Sequence, residues 1–418
     1  MEVIRIATAG SVDDGKSTLI GRLLYDTRSI TNDKFQAIET LSRRKGLDFT
    51  DLSLFADGLV AEREQGITID VAYIYFSTPQ RKFIIADTPG HIEYTRNMIT
   101  GASTASVFLI LIDARNGITE QTRRHFYIAS LMQIKHVAVC INKMDLVGYD
   151  EQVFQSVRNE FNHLVSKTKM NDRNLFFIPI VAKDGDHVTR HAANMQWYQG
   201  ATLLEYLENI NVNDGLPSQP ERMAVQYVIR PHQNEFHDFR GYAGRVVSGT
   251  FSIGDEVMAL PSMRSSSIAS IRLGEENTDR ARSKESVLLT LKDDIDIGRG
   301  TMLVKRADEI KQVTDLRATI CWMNEDILTE GKTYLLQHGV NSTKAKIKLV
   351  YAILNINTLA PDETKKYFSL NDIGSVQIKL ASPVFADLYA QNPSNGSFIL
   401  IDEFSNNTVA VGFIDDIL

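Results

Sequence analysis

The first half of the sequence alternates between short, continuous apolar runs and longer segments in which apolar residues recur every three or four positions. The clearest apolar runs lie at residues 83–86, 107–112, 137–141 and 176–181. Runs of this length, mostly rich in β-branched residues, are typical of buried parallel strands, and the segments between them are typical of crossover helices. This pattern predicts an α/β domain with a doubly wound sheet, which we expect to span residues 1–212.

The pattern changes after residues 211–220, a segment rich in Asn, Gly and Pro that we interpret as a linker. The apolar runs beyond it are short and separated by turn residues, which is typical of antiparallel strands in a barrel. Examples lie at residues 223–229, 244–247, 256–260 and 286–291. We therefore predict two all-β barrel domains after the α/β domain, one over residues 221–308 and one over residues 312–418.

Composition and charge narrow the possible classes of protein. The 418 residues are too many for one ordinary core, and 43% hydrophobic with 23% charged residues is typical of a soluble globular protein. No apolar run approaches the roughly 20 residues that span a membrane, and the start lacks the pattern of a signal peptide, so we expect a cytoplasmic protein with no membrane partner. Cys140 and Cys321 lie in separate apolar runs and are predicted to be buried thiols. A net charge of −7 without a basic stripe disfavours nucleic acid as a partner.

Residues 10–17 read GSVDDGKS and match the G-x-x-x-x-G-K-[ST] pattern of a phosphate-binding loop between a strand and a helix. In such a loop the backbone N–H groups and the helix N-terminus bind phosphates. Lys16 would reach the β and γ phosphates, and the Ser17 hydroxyl would ligate Mg²⁺. We predict that the nucleotide is bound by Gly10, Ser11, Val12, Asp13, Asp14, Gly15, Lys16, Ser17 and Thr18.

Two acidic residues in this loop, Asp13 and Asp14, place negative charge beside a polyanion. Their side chains could point away from the nucleotide, form an ion pair with a nearby arginine, or help to hold a monovalent cation. The sequence alone leaves these alternatives open.

A D-T-P-G-H motif follows the apolar run at 83–86 and supplies the residues that a GTPase requires near the γ-phosphate. Asp87 would hold Mg²⁺ through water, the Gly90 amide would bind the γ-phosphate, and His91 would be the catalytic residue that orients the attacking water. Thr68 would offer its hydroxyl to Mg²⁺ only when the γ-phosphate is present. The motif residues predicted to contact the nucleotide are Asp87, Thr88, Pro89, Gly90 and His91.

An N-K-M-D motif follows the apolar run at 137–141 and argues for GTP over ATP. Asp145 can accept hydrogen bonds from the guanine N1–H and 2-amino groups, whereas adenine has no donor there. Asn142 can bind the base edge and a neighbouring loop, and the stem of Lys143 can cover the ring. The Ala182 amide can reach the guanine oxygen, although Val181 stands where a Ser is usual. The predicted base-binding residues are Asn142, Lys143, Met144, Asp145, Ala182 and Lys183.

These motifs with two β domains resemble the translation-factor class of GTPases, and resemble more closely the GTPase subunit of bacterial sulfate adenylyltransferase. The Asp13–Asp14 pair belongs to this closer pattern, since elongation factors typically have an Asp-His pair there. The segments that carry the resemblance are residues 10–24, 57–59, 61–73, 81–91, 94–98, 226–228 and 238–244.

The resemblance implies that this chain binds GTP with Mg²⁺ and hydrolyses it. A small partner subunit would bind ATP and sulfate and form adenosine 5′-phosphosulfate and pyrophosphate, in a heterodimer or a higher oligomer. Some family members carry a C-terminal kinase, which we do not expect here because the sequence has one phosphate loop. The alternatives are an elongation-factor-like GTPase that delivers aminoacyl-tRNA, which the acidic balance and Asp14 disfavour, and an inactive GTP-binding scaffold.

Overall fold

The computed structural model describes residues 3–44, 46, 50–55, 70–91, 95–168, 170, 175–212, 219–231, 239–306 and 310–418. The chain divides into two compact units. The first contains residues 1–214 and 356–360, and the second contains residues 215–355 and 361–418. The narrower domain limits that the sequence suggests, 1–212, 221–308 and 312–418, stay predictions.

A six-stranded sheet organises the first unit, in the order β2-β3-β1-β4-β5-β6. All neighbouring strands are parallel except β2, which runs antiparallel to β3 at one edge. The strands are β1 (Val3–Ala9), β2 (Ala72–Ser77), β3 (Lys82–Asp87), β4 (Val107–Asp113), β5 (His136–Asn142) and β6 (Leu175–Pro179). Every residue of β4 is buried, which explains why the central strands have continuous apolar sequences.

Six α-helices accompany this sheet in the described part of the unit. They are α1 (Lys16–Asp26), α2 (Asn32–Arg44), α3 (Thr95–Ala102), α4 (Glu120–Leu131), α5 (Glu151–Ser166) and α6 (Leu203–Asn209). Side chains fix several helix starts. The Asp150 carboxylate accepts the Gln152 N–H at 2.7 Å, and Thr202 and Glu205 form a reciprocal capping box.

The second unit contains two closed six-stranded barrels. The first barrel has the order β10-β15-β7-β8-β14-β11 and closes by pairing β10 with β11. Its strands, with the short strands β9, β12 and β13 beside them, are β7 (Arg222–Ile229), β8 (Gly241–Ser248), β9 (Thr250–Ser252), β10 (Glu256–Leu260), β11 (Arg264–Leu273), β12 (Glu276–Thr278), β13 (Arg280–Arg282), β14 (Ser286–Leu291) and β15 (Met302–Lys305).

The second barrel has the order β18-β23-β24-β16-β22-β19 and closes by pairing β18 with β19. Its strands, with the short strands β17, β20 and β21, are β16 (Lys311–Trp322), β17 (Leu328–Thr329), β18 (Thr333–His338), β19 (Asn341–Asn355), β20 (Ala360–Asp362), β21 (Tyr367–Phe368), β22 (Ile373–Ala386), β23 (Ser397–Ile401) and β24 (Thr408–Ile417). The predicted fold class, an α/β domain followed by two β-barrels, is confirmed.

A buried ion pair joins the two barrels within the second unit. The Arg222 guanidinium, 2% exposed, donates to both carboxylate oxygens of Asp387 at 3.0 and 3.1 Å. Asn392 and Asn395 also donate to Asp387, at 2.9 and 2.8 Å. The buried guanidinium therefore has a counter-charge, and the carboxylate has additional donors, as burial of an ion pair demands.

No helix in the described ranges is both long and apolar enough to cross a membrane. Cys140 and Cys321 are both buried, as expected.

Candidate nucleotide-binding site

The predicted site residues lie where parallel strands end. The phosphate loop follows β1, Asp87 ends β3, and Asn142 ends β5. Because the carboxyl ends of parallel strands share one edge of the sheet, the fold brings these three motifs together there.

The phosphate loop is shaped by two glycines. Gly10 and Gly15 have φ angles of 153° and 96°. A Cβ atom on Gly15 would lie 2.5 Å from Asn142 Nδ2, and one on Gly10 would lie 2.9 Å from the Leu111 carbonyl oxygen. Both positions therefore require glycine for conformation and for space.

Lys16 begins α1 and is buried inside the loop. Its Nζ donates to the Gly10 and Ser11 carbonyl oxygens at 3.0 and 2.9 Å. Burial lowers the pKa of Lys16, while the carboxylates of Asp87, Asp14 and Asp13 act in the opposite direction. The ammonium group is thus held among backbone acceptors and acidic side chains.

The Asp14 side chain lies inside the phosphate loop. Its carboxylate is 3% exposed and its Oδ2 accepts the Ser11 N–H at 2.6 Å, so it points into its own loop rather than towards an arginine. Burial raises the pKa of Asp14, and the Ser11 hydrogen bond and Lys16 oppose that increase. Asp13 is exposed and has a left-handed backbone with φ of 67°. The alternative of a monovalent cation beside Asp13 stays open.

Asp87 is positioned by Thr8, a residue that belongs to none of the sequence motifs. Thr8, on the neighbouring strand β1, donates its hydroxyl proton to Asp87 Oδ1 at 2.9 Å, and Thr88 donates its own hydroxyl proton to the Thr8 carbonyl oxygen. Thr8 is a buried polar residue in an otherwise apolar strand end, which is the signal that could have identified it. The hard oxygen donors of Asp87 and Ser17 are of the kind that Mg²⁺ prefers.

The D-T-P-G-H segment lies against the phosphate loop. A Cβ atom on Gly90 would meet Lys16 Nζ and would lie 2.6 Å from the Gly10 carbonyl oxygen. His91 follows directly and is partly buried. Thr68, the third predicted metal ligand, lies outside the described residues.

Asn142 connects the phosphate loop to the segment that contains Ala182. Its side chain is 2% exposed, and its Nδ2 donates to the Asp14 carbonyl oxygen at 2.8 Å. Its Oδ1 accepts the Ala182 N–H at 3.0 Å. The Ala182 N–H therefore already has a protein acceptor, and the predicted contact with the guanine oxygen would have to share it.

Arg22 supports the same segment from α1. Its guanidinium donates to the carbonyl oxygens of Ala182, at 3.4 Å, and Lys183. Val181, which departs from the usual Ser, is buried and pairs in a β-bridge with Asp186. The backbone at Ala182 is therefore fixed by Arg22, by the Val181–Asp186 bridge and by Asn142.

Lys143 is held by an acidic residue at the end of β4. Asp113, 2% exposed, accepts from Lys143 Nζ at 2.9 Å and from Arg115 at 2.7 Å. Burial raises the pKa of Asp113, but the hydrogen bonds from Arg115 and Lys143 outweigh it and hold the pKa well below its usual range. Asp145 is partly buried on the turn that follows Lys143, and Met144 between them is fully buried.

Comparisons with known proteins identify the class of the first domain and of the last barrel. The model of the elongation factor Tu GTP binding domain matches residues 1–213, and that of the GTP-eEF1A C-terminal domain-like family matches residues 315–415. The structure also resembles the Ski7 GTPase-like domain of S. cerevisiae, solved with GDP and inorganic phosphate. The TM-score is 0.54 with 17% identity, over 99% of this chain and 97% of that chain, so this likeness concerns the fold alone.

Relatives with higher sequence identity narrow the family. The chain is 46% identical to sulfate adenylyltransferase subunit 1 of Saccharophagus degradans, over 100% of this chain and 88% of that protein. It is 45% identical to the protein of the same name from Citrobacter koseri, over 99% and 86%. It is 46% identical to the bifunctional enzyme CysN/CysC of Mycobacterium tuberculosis, over 99% of this chain and 67% of that protein. The chain therefore belongs to the sulfate adenylyltransferase subunit 1 family, with a GTP-binding domain of the elongation factor Tu type.

Proposed function

We propose that this chain is the GTP-hydrolysing subunit of a sulfate adenylyltransferase. It would couple GTP hydrolysis to the formation of adenosine 5′-phosphosulfate and pyrophosphate from ATP and sulfate on a partner subunit in the cytoplasm. The observation that carries the proposal is the identity of about 46% over the whole chain with proteins named sulfate adenylyltransferase subunit 1.

Guanine selectivity would come from the N-K-M-D motif. Asp145 would accept the guanine N1–H and 2-amino protons, and the stem of Lys143, held by Asp113, would cover one ring face. The two hydrogen bonds of Asn142 support this role, since they fix the motif relative to the phosphate loop. A site built to pair with a donor group discriminates strongly against a base that lacks it.

Phosphate recognition would use the loop amides, Lys16 and the Gly90 amide. Ser17 and Asp87 would hold Mg²⁺, with Thr68 as a further ligand, and the bound ion would neutralise charge on the β and γ phosphates. His91, adjacent to Gly90, would orient the attacking water. Thr8 would keep the Asp87 carboxylate in place through its hydrogen bond.

The partner is implied by the word subunit in the relatives' names. We propose a small ATP-binding adenylyltransferase that favours the hydrolysis-competent conformation of this chain. By linkage, GTP would then tighten binding of that partner. The alternative, delivery of aminoacyl-tRNA, is disfavoured by the family of the relatives and by the net charge of −7.

Reconstitution with the small subunit tests the proposal. Phosphosulfate formation from ATP and sulfate should rise when GTP is added, and Lys16→Ala should abolish that rise while sparing the basal activity of the small subunit. Lys292→Ala, which changes an exposed lysine of the second unit, is the matched control and should behave like the wild type. The proposal fails if this chain alone makes phosphosulfate, or if GTP leaves the reconstituted pair unchanged. GTP-dependent binding of aminoacyl-tRNA would favour the alternative.

A further inference from the structure

Asp14 places a carboxylate inside a loop that binds polyanions. The Ser11 N–H bond of 2.6 Å holds Oδ2 in the loop, where it would also lie 3.2 Å from a Cβ atom on Gly10. The side chain is 3% exposed, so turning it into solvent would break that hydrogen bond. The carboxyl group therefore stays beside the phosphate subsite.

The carboxylate also acts on the lysine that attracts the phosphates. Lys16 is buried, and its Nζ donates to the Ser11 carbonyl oxygen at 2.9 Å, while the N–H of the same Ser11 donates to Asp14. Charges interact more strongly when they are buried, because solvent and salt screen them less. The negative charge of Asp14 therefore lies in the same loop as the ammonium group that attracts the phosphates.

We propose that Asp14 lowers the affinity of the site for guanine nucleotides in proportion to their negative charge, and thereby speeds the release of GDP. Asp14 is an electrostatic and positioning residue, since it acts through the loop and not on the reacting atoms. The inference rests on the proposed GTP site and adds to it a way in which the site releases GDP after hydrolysis. A subunit that couples GTP hydrolysis to adenylyl transfer can begin another cycle only after GDP leaves.

Asp14→Asn separates charge from geometry. The amide oxygen of asparagine can still accept the Ser11 N–H, while the negative charge is removed. Dissociation constants would be measured at about pH 8 and fixed Mg²⁺ for guanosine, GDP and a non-hydrolysable GTP analogue. We expect guanosine to bind within about twofold of the wild type, and GDP and the GTP analogue to bind at least about tenfold more tightly. The gain should appear mainly as slower dissociation.

Two further variants secure the test. Asp14→Ser also removes the charge and keeps a hydroxyl acceptor, so it should shift the affinities in the same direction if the asparagine variant folds poorly. Glu120→Gln removes a charge from a half-exposed side chain that follows Thr119, whose hydroxyl lies 2.8 Å from that of Ser11. We expect no change of affinity from it, because solvent screens an exposed charge.

The result that overturns the inference is unchanged GDP affinity in the Asp14 variants. Equal weakening of all three ligands would also overturn it, since a merely structural role does not depend on ligand charge. Both outcomes would leave the proposed GTP site intact. Failure of the wild-type chain to bind any guanine nucleotide would instead overturn the proposed function and this inference together.

Discussion

Asp113 and Lys143 form an ion pair at the edge of the sheet, with 2.9 Å between Oδ2 and Nζ. Lys143 has a left-handed backbone with φ of 62°, a conformation that is uncommon for a residue other than glycine. The ion pair with Asp113 holds its side chain. Asp113 lies directly opposite Asn142 in the β4–β5 register. The end of β4 thus supports the N-K-M-D motif at the end of β5.

Asp113→Asn should weaken guanine recognition. The replacement keeps the shape but removes the counter-charge of Lys143 and Arg115, so the lysine stem would lose its fixed position over the base. We expect guanosine and GDP to lose affinity by the same factor, roughly tenfold, which competition binding can measure. A loss confined to GDP would place the effect on the phosphates and contradict this role.

His91→Ala should slow single-turnover GTP hydrolysis by roughly 10²-fold or more, within the usual range for groups that position or activate water. GTP affinity should change little, because the side chain would not contact the ground-state phosphates. Equal losses in binding and in hydrolysis would instead assign His91 a structural role.

Asp145→Asn should change the base preference from guanine to xanthine. The amide would place a donor against a guanine donor, whereas xanthine carries an oxygen in place of the 2-amino group. Competition between GTP and XTP measures the change, and a variant that still prefers GTP would contradict the assignment.

His125 on α4 should make the fold sensitive to acid. Burial, together with Lys16 and Arg124, lowers the pKa of His125 to about 3. Its unfolded pKa is about 6.5, so the unfolded chain binds the proton more readily and stability falls as the pH drops below about 6.5. Denaturant titrations between pH 4.5 and 7.5 would measure the free energy of unfolding. This free energy should depend less steeply on pH in His125→Phe than in the wild type. His163→Gln, at an exposed position, should keep the wild-type slope.

Arg222→Met should destabilise the second unit by about 3–5 kcal/mol, because it leaves the buried Asp387 carboxylate without its counter-charge. Arg306→Met is the matched control, since Arg306 pairs with Glu256 where both side chains are 62% exposed. That surface pair should contribute at most about 1 kcal/mol. If both variants lost the same free energy of unfolding, the buried pair would contribute no more to stability than the surface pair.

The sequence predicted the central strands and the site motifs but not the contacts between them. The run at 107–112 identified β4 because every side chain there is buried. The edge strand β2 was missed although its residues are mostly apolar, because its burial alternates along the strand and Phe76 is the one buried residue among its six.

The missed site contacts have a similar cause. Asp14 and Asn142 are 128 residues apart, and Thr8 and Asp87 are 79 apart. These pairs depend on which strands are neighbours, a property of the sheet order. No local motif encodes that order, so Thr8 and Asp113 emerged only with the structure.

The two hydrogen bonds of the Asn142 side chain affect how the base part and the phosphate part of a nucleotide would bind as separate fragments. One amide bonds both the phosphate loop at Asp14 and the base segment at Ala182. A fragment that orders the phosphate loop would also fix the Asn142 side chain, and thereby order the Ala182 segment for the other fragment. The binding free energies of a nucleoside and of a pyrophosphate would therefore not add up to that of the nucleotide, and the site would be cooperative within a single molecule.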